Sequence, residues 1–213
     1  MKTIMCYGDS LTWGYNPATG TRYPFNERWP GVLQQELGSS FRVIEEALNG
    51  RTMCMESELL PEKSGSAMLG PLLESHAPID IFVLMLGTND VAPMYHLNAS
   101  DIGACGYALI RKIRKSQAGP GGGAPDVLLI APPPLDQLSG IDQLFYGGGQ
   151  EASRNLADVY KVVADAVGCG FLDSGKHIKT CDMDGVHIDA AGHRMLAMEV
   201  KKVVDRLAMR QPA

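Results

Sequence analysis

Ser10, in the stretch Tyr7-Gly8-Asp9-Ser10-Leu11-Thr12-Trp13-Gly14, is the residue whose type and place most directly offer covalent chemistry. A serine hydroxyl is a poor nucleophile until a neighbouring base accepts its proton, and that base must be oriented by a third group. Asp184-Gly185-Val186-His187 carries both partners in one short loop. A carboxylate three residues ahead of a histidine can accept the Nδ1 proton and leave Nε2 facing a hydroxyl. Acyl transfer also develops a negative oxygen, which needs donors already in place. The Ser10 N–H, the Gly50 N–H and the side-chain amide of Asn89 are the candidate donors. Singly these signals are weak. Gly-Asp-Ser also suits a helix N-cap, Asn89 suits a turn, and Asp184 with His187 suits a solvated loop. Their weight lies in occurring together, in order, after successive strands.

Bringing positions 10, 50, 89 and 187 together requires a fold that gathers distant turns at one edge, and the hydrophobic pattern supplies one. Lys2–Cys6, Phe41–Ala47, Ile79–Leu86, Val127–Ala131 and Gly170–Asp173 read as five short strands. Ile79–Leu86 is nearly continuous in apolar residues, as a central parallel strand covered on both faces should be. Helices are expected over about 28–37, 67–76, 101–115, 150–167 and 190–208, with Asp189 as N-cap of the last. Residues 15–27, 53–66 and 135–149 read as loops. Strands alternating with helices predict a single flavodoxin-like α/β domain over 1–213, a five-stranded parallel sheet with helices on both faces and strand order 2-1-3-4-5. The turns after strands 1, 2 and 3 then share the carboxyl edge, where open α/β sheets bind ligands.

Composition narrows the class. With 45% apolar and 20% charged residues the chain is globular, and a net charge of −5 without a basic stripe argues against nucleic acid as partner. No apolar run reaches bilayer length and no signal-peptide pattern opens the chain, so no membrane association and a cytoplasmic location are expected. The five cysteines are odd in number and lack a Cys-x-x-Cys pair, so neither a disulfide framework nor a zinc site is indicated. No cofactor or metal is expected.

Gly8-Asp9-Ser10-Leu11, Gly50, Gly87-Thr88-Asn89-Asp90 and Asp184-x-x-His187 together resemble the GDSL or SGNH hydrolases over nearly the whole chain. The resemblance implies Ser10 as nucleophile, Gly50 and Asn89 with Ser10 as oxyanion donors, His187 as base and Asp184 as its orienter. Gly-Asp-Ser-Leu-Thr-Trp-Gly at 8–14, Val43-Ile44-Glu45-Glu46, Met85-Leu86-Gly87-Thr88-Asn89-Asp90 and the prolines at 132–134 look more closely like the bacterial aryl esterase and acyltransferase branch. That implies cleavage of small acyl esters, acyl transfer to alcohols or peroxide, and assembly as a homo-oligomer, an octamer in some members. Asn49-Gly50-Arg51 departs from the smaller Ser-Gly-Asp of many members and leaves the part played by Arg51 open.

Competing motifs fail. No Gly-x-Ser-x-Gly elbow is present, so the ordinary α/β-hydrolase fold is not indicated. Gly170 to Lys176 imitates a phosphate loop, but His177 stands where magnesium needs Ser or Thr. A non-catalytic flavodoxin-like binding module would leave Asn89, Asp184 and His187 unexplained. Within the hydrolases, deacetylation of sugars competes with aryl ester cleavage. Leu11, Trp13, Arg51, Tyr95, His96 and Phe145 are the expected substrate contacts, and Tyr15, Phe25 and Leu144 are further loop residues able to wall the site.

Overall fold

A computed structural model describes residues 1–209; the last four positions of the expected 1–213 domain lie outside the described residues. The first half of the chain forms β1 (Lys2–Gly8), α1 (Ser10–Trp13), β2 (Tyr15–Asn16), β3 (Thr21–Arg22), α2 (Trp29–Leu37), β4 (Phe41–Ala47) and α3 (Gly65–His76). The second half forms β5 (Ile81–Met85), α4 (Ala99–Lys115), β6 (Asp126–Ala131), α5 (Gly140–Tyr146), α6 (Gln150–Val167), β7 (Gly170–Asp173) and α7 (Ala190–Ala208). Five strands make a parallel sheet in the order β4-β1-β5-β6-β7. Counted among these strands alone the order is 2-1-3-4-5, the flavodoxin-like order expected.

Period-two alternation along β5 divides the core. Ile81, Val83 and Met85 face α2 and α7, where Trp29, Leu33, Leu196, Val200 and Val204 are buried. Phe82 and Leu84 face α3, α4 and α6, where Leu69, Ile102, Ile110, Leu156 and Tyr160 are buried. Each such aliphatic side chain contributes about 1.5–3 kcal/mol when fully buried. Two layers of helices therefore hold the sheet rigid, and its carboxyl edge is left to the loops. Among the described residues no helix is long and apolar enough to cross a membrane.

Three local expectations are corrected. The segment 135–149 is not all loop: Gly140–Tyr146 is a helix, in which Ile141, Leu144 and Phe145 recur at the helical spacing i, i+3 and i+4. The loop 15–27 contains a two-stranded ribbon in which Tyr15 pairs with Arg22. Cys54, after β4, and Cys105, on α4, form a disulfide with their Cα atoms 5.9 Å apart. Their 51-residue separation carries no spacing signal, because α4 is brought against the loop after β4 only by the fold. Cys6, Cys169 and Cys181 are free.

Candidate active site

Ser10 is the first residue of the one-turn helix α1, immediately after β1. Asp9 caps that turn by accepting the Leu11 N–H at 2.9 Å, which fixes the direction in which Ser10 leaves the strand. Gly8 cannot be replaced cheaply: a Cβ there would run into Thr12 Oγ1 and the Met85 carbonyl. Leu11 packs into the core beside α2 and α7, so it anchors the turn from below and is not a substrate contact.

The loop before α7 is wound so that one carboxylate holds one imidazole. Gly185 adopts φ +74°, and a side chain there would strike Gln137. Asp184 Oδ1 accepts the backbone N–H groups of Val186 and His187 at 2.8 and 2.9 Å, and Oδ2 accepts from His187 Nδ1 at 2.7 Å. His187 Nε2 lies 2.9 Å from Ser10 Oγ. With Nδ1 donating to the carboxylate, Nε2 is the acceptor and Ser10 the donor. Burial pushes the Asp184 carboxyl up, but the bonds from the His187 ring and the two N–H groups outweigh it and hold the group below the usual carboxylate range. The tilted ring of Tyr15, with its centroid 4.4 Å from the imidazole, closes its other side.

The turn after β4 and the turn after β5 are tied to each other. Asn89 Nδ2 donates to the Arg51 carbonyl at 2.9 Å, and both oxygens of Asp90 accept the Met53 N–H at 2.8 and 2.9 Å. Burial raises the Asp90 carboxyl to about 7, opposed by the Met53 N–H and assisted by Asp9. Asp9 rises to about 6 for the same first reason, with the Leu11 N–H and His187 pulling it down. Gly50, at φ +77°, turns the chain so that it lines the same cavity as Ser10, Asn89 and His187. Among the described residues no backbone acceptor takes the Ser10 or Gly50 N–H.

The cavity above these groups measures about 240 Å³ and is walled by Tyr15, Leu60, Met94, Tyr95, Ile141 and Phe145. Tyr95, Phe145 and Tyr15 thus stand where the sequence placed them. Six other candidates do not line it. Trp13 is half-buried under the Arg22 guanidinium at 5.1 Å, and His96 is exposed at a left-handed turn residue. Arg51 turns inward: Nη1 donates to the carbonyls of Gly8 and Glu46, and the guanidinium lies 4.3 Å over the Tyr7 ring. It is a strut joining the ends of β1 and β4, so its bulk never reaches the pocket, and Leu11 is core as described. Phe25 lies against Arg28 and Leu144 is largely exposed. The sequence pattern does not single out Leu60 and Met94, which lie in the loops after β4 and β5, nor Ile141, Asp142 and the bond from Tyr146 to Asn89, because 135–149 reads as loop. The apolar spacing in 140–146 was the available signal. A larger hollow of about 850 Å³ between α3 and α4 contains none of these groups.

A doubly wound parallel sheet with serine, histidine and aspartate hydrogen-bonded in line at its carboxyl edge is an arrangement of the serine-hydrolase class. The chain belongs to the GDSL-like lipase/acylhydrolase family, whose model matches residues 6–195. Among solved structures it is similar to the native aryl esterase of M. smegmatis, at 36% identity and TM-score 0.93 over 97% of this chain and 100% of that one. It is equally similar to a carbohydrate acetylesterase family member from Sinorhizobium meliloti, at 38% identity and TM-score 0.93 over 97% and 99%. A second carbohydrate acetylesterase from that organism gives 34% and 0.94 over 97% and 100%. No curated protein sequence matches the chain.

Proposed function

We propose that this chain is a serine esterase that cleaves small carboxylic esters of short acyl chain, aryl acetates among them, through an acyl-enzyme. Ser10 Oγ attacks the acyl carbon while its proton passes to His187 Nε2, and Asp184 stabilises the imidazolium. The developing oxyanion accepts from the Ser10 N–H, the Gly50 N–H and the second N–H of Asn89. On collapse, the leaving alcohol oxygen takes the proton from His187. Water, giving its proton to His187, then attacks the Ser10 ester, and His187 returns that proton to Ser10 Oγ as the acid leaves. An alcohol in place of water yields a new ester and peroxide yields a peracid, so acyl transfer belongs to the same proposal.

The observation that carries this reading is the unbroken line from Asp184 Oδ2 through His187 to Ser10 Oγ, at 2.7 and 2.9 Å. The small, mostly apolar cavity supports short acyl groups, since each further methylene needs room inside the walls. A second reading, deacetylation of sugars, is favoured by Asp142 and Asn49 in the lining, which can bond hydroxyl groups, and by the acetylesterases among the similar structures. A panel of aryl esters of rising acyl length and of acetylated sugars, each with water and with alcohol as acceptor, separates the two. Cleavage of aryl acetates well above that of sugar acetates is expected. Activity on sugar acetates alone would reverse the order, and activity on neither would remove both readings.

A further inference from the structure

We infer that Tyr146 is a positioning residue for the Asn89 amide, so that α5 completes the oxyanion site as well as walling the cavity; this rests on the esterase reading above. The Asn89 carboxamide has one carbonyl acceptor and two N–H donors. Its oxygen accepts the Tyr146 hydroxyl at 2.8 Å, and one N–H is taken by the Arg51 carbonyl at 2.9 Å. One N–H is left for a ligand. A carboxamide reverses its O and N with almost no change in shape. Reversed here, its oxygen would meet the Arg51 carbonyl and would face the oxygen that becomes negative in the reaction. Arg51 disfavours that state and Tyr146 disfavours it again, because an amide N–H in place of Oδ1 would leave the phenol without its acceptor. The Tyr146 bond also acts on the productive state. A donor on the carbonyl oxygen draws charge along the amide and strengthens the remaining N–H.

Tyr146 is held to this task although its helix is largely exposed. It is the last residue of α5, and its carbonyl accepts the Gly149 N–H at 2.8 Å. A side chain at Gly149 would strike the Val91 carbonyl, so the chain leaving α5 lies tight against the segment that follows Asn89. Burial raises the Tyr146 phenol above its ordinary range, which favours the protonated hydroxyl that donates to Asn89.

Tyr146→Phe removes the hydroxyl and keeps the ring. On an aryl acetate its kcat is expected to fall about tenfold, the worth of one buried hydrogen bond, with KM within about twofold and the melting temperature nearly unchanged. In an Asn89→Ala background the same change is expected to cost nothing further, since the amide it positions is gone. A kcat within about twofold of wild type, or a full additional loss in the Asn89→Ala background, would overturn the inference. A wild type that cleaves no ester removes the esterase reading and this inference together, whereas an active wild type with an equally active Tyr146→Phe removes only the role of Tyr146. Should the variant not fold, the wild type answers by proton NMR: the Tyr146 hydroxyl should be a slowly exchanging resonance, and rapid exchange with water would overturn the assignment.

Discussion

The floor and the wall of the cavity are built on opposite terms. The floor is the set of turns after β1, β4 and β5 with the loop before α7, and its groups bond from turn to turn: Arg51 to Gly8, Asn89 to Arg51, Met53 to Asp90, Ser10 to His187. Ser10, Asn89, Asp90, Asp184 and His187 are all buried. The wall includes α5, where Ile141 is 62% and Phe145 44% exposed, bracketed by Gly140 and by Gly147 to Gly149. Reacting groups need sub-ångström placement, which only a tied and buried frame gives; groups that exclude water or limit chain length need only bulk. Changes on the floor should therefore act on the chemical step, and changes on the wall on which ester is preferred. Tyr146 belongs to the wall by sequence and to the floor by its hydrogen bond.

The comparison is broken most directly at Ser10. Ser10→Ala is expected to lower kcat/KM on a chromogenic acetate by at least about a thousandfold with the melting temperature retained. A serine-directed phosphonate should label Ser10 alone, read by peptide mass spectrometry; a label elsewhere would move the reaction off this floor. Asn89→Ala follows, with kcat expected to fall about a hundredfold, as for loss of one oxyanion donor. An equal fall in affinity with kcat preserved would instead make Asn89 a ground-state binding residue.

The floor also carries a signature in stability. Asp9 and Asp90 titrate at about 6 and about 7 when folded, above the ordinary 3.8. From about pH 4 to 7 the folded protein holds these protons after the unfolded chain has lost them, so their contribution falls as pH rises through that window and levels off above it. Asp184 has the opposite sign: its lowered carboxyl contributes stability above the unfolded value, and that is lost as pH falls through the folded one. Asp90→Asn keeps a carbonyl for the Met53 N–H and removes one ionisation. Between pH 5 and 8 its melting temperature is expected to fall a few degrees less than that of wild type. Identical pH slopes for the two proteins would show that Asp90 does not titrate there.

Most of the floor is legible in the sequence, because its reacting groups either follow a strand that announces itself or lie together in one short loop. Ser10 follows an apolar run, Asn89 follows the most apolar strand of the chain, and Asp184 with His187 are close enough for one loop to join them. Strand order then brought the turns to one edge. The inward turn of Arg51 was not legible, since nothing in Asn49-Gly50-Arg51 says that its partners are the carbonyls of Gly8 and Glu46. Cys54 and Cys105 were hidden for the same reason: pairing depends on where α4 lands. In α5 the glycines on both sides mask an apolar i, i+3, i+4 pattern that is present in the sequence. Trp13 and His96 are aromatic rings in loop sequence, a property that places a ring near a surface without saying which one.

The smallest expected effect lies on the wall and is the sharpest test of the division. Phe145 lines the cavity and is 44% exposed, so removing its ring opens space without unmaking a core. Phe145→Ala is expected to change kcat/KM for an acetate by less than about fivefold, because the acetyl group is short enough to lie on the floor. For a hexanoate the same variant should gain, since the four added methylenes gain room where the ring stood. The informative quantity is the hexanoate-to-acetate ratio of kcat/KM, in which any general loss of activity cancels. A rise of about tenfold in that ratio would locate acyl-length selection on α5. An equal hundredfold loss on both esters would mean that Phe145 supports the reacting groups, and that α5 as a whole belongs with the floor.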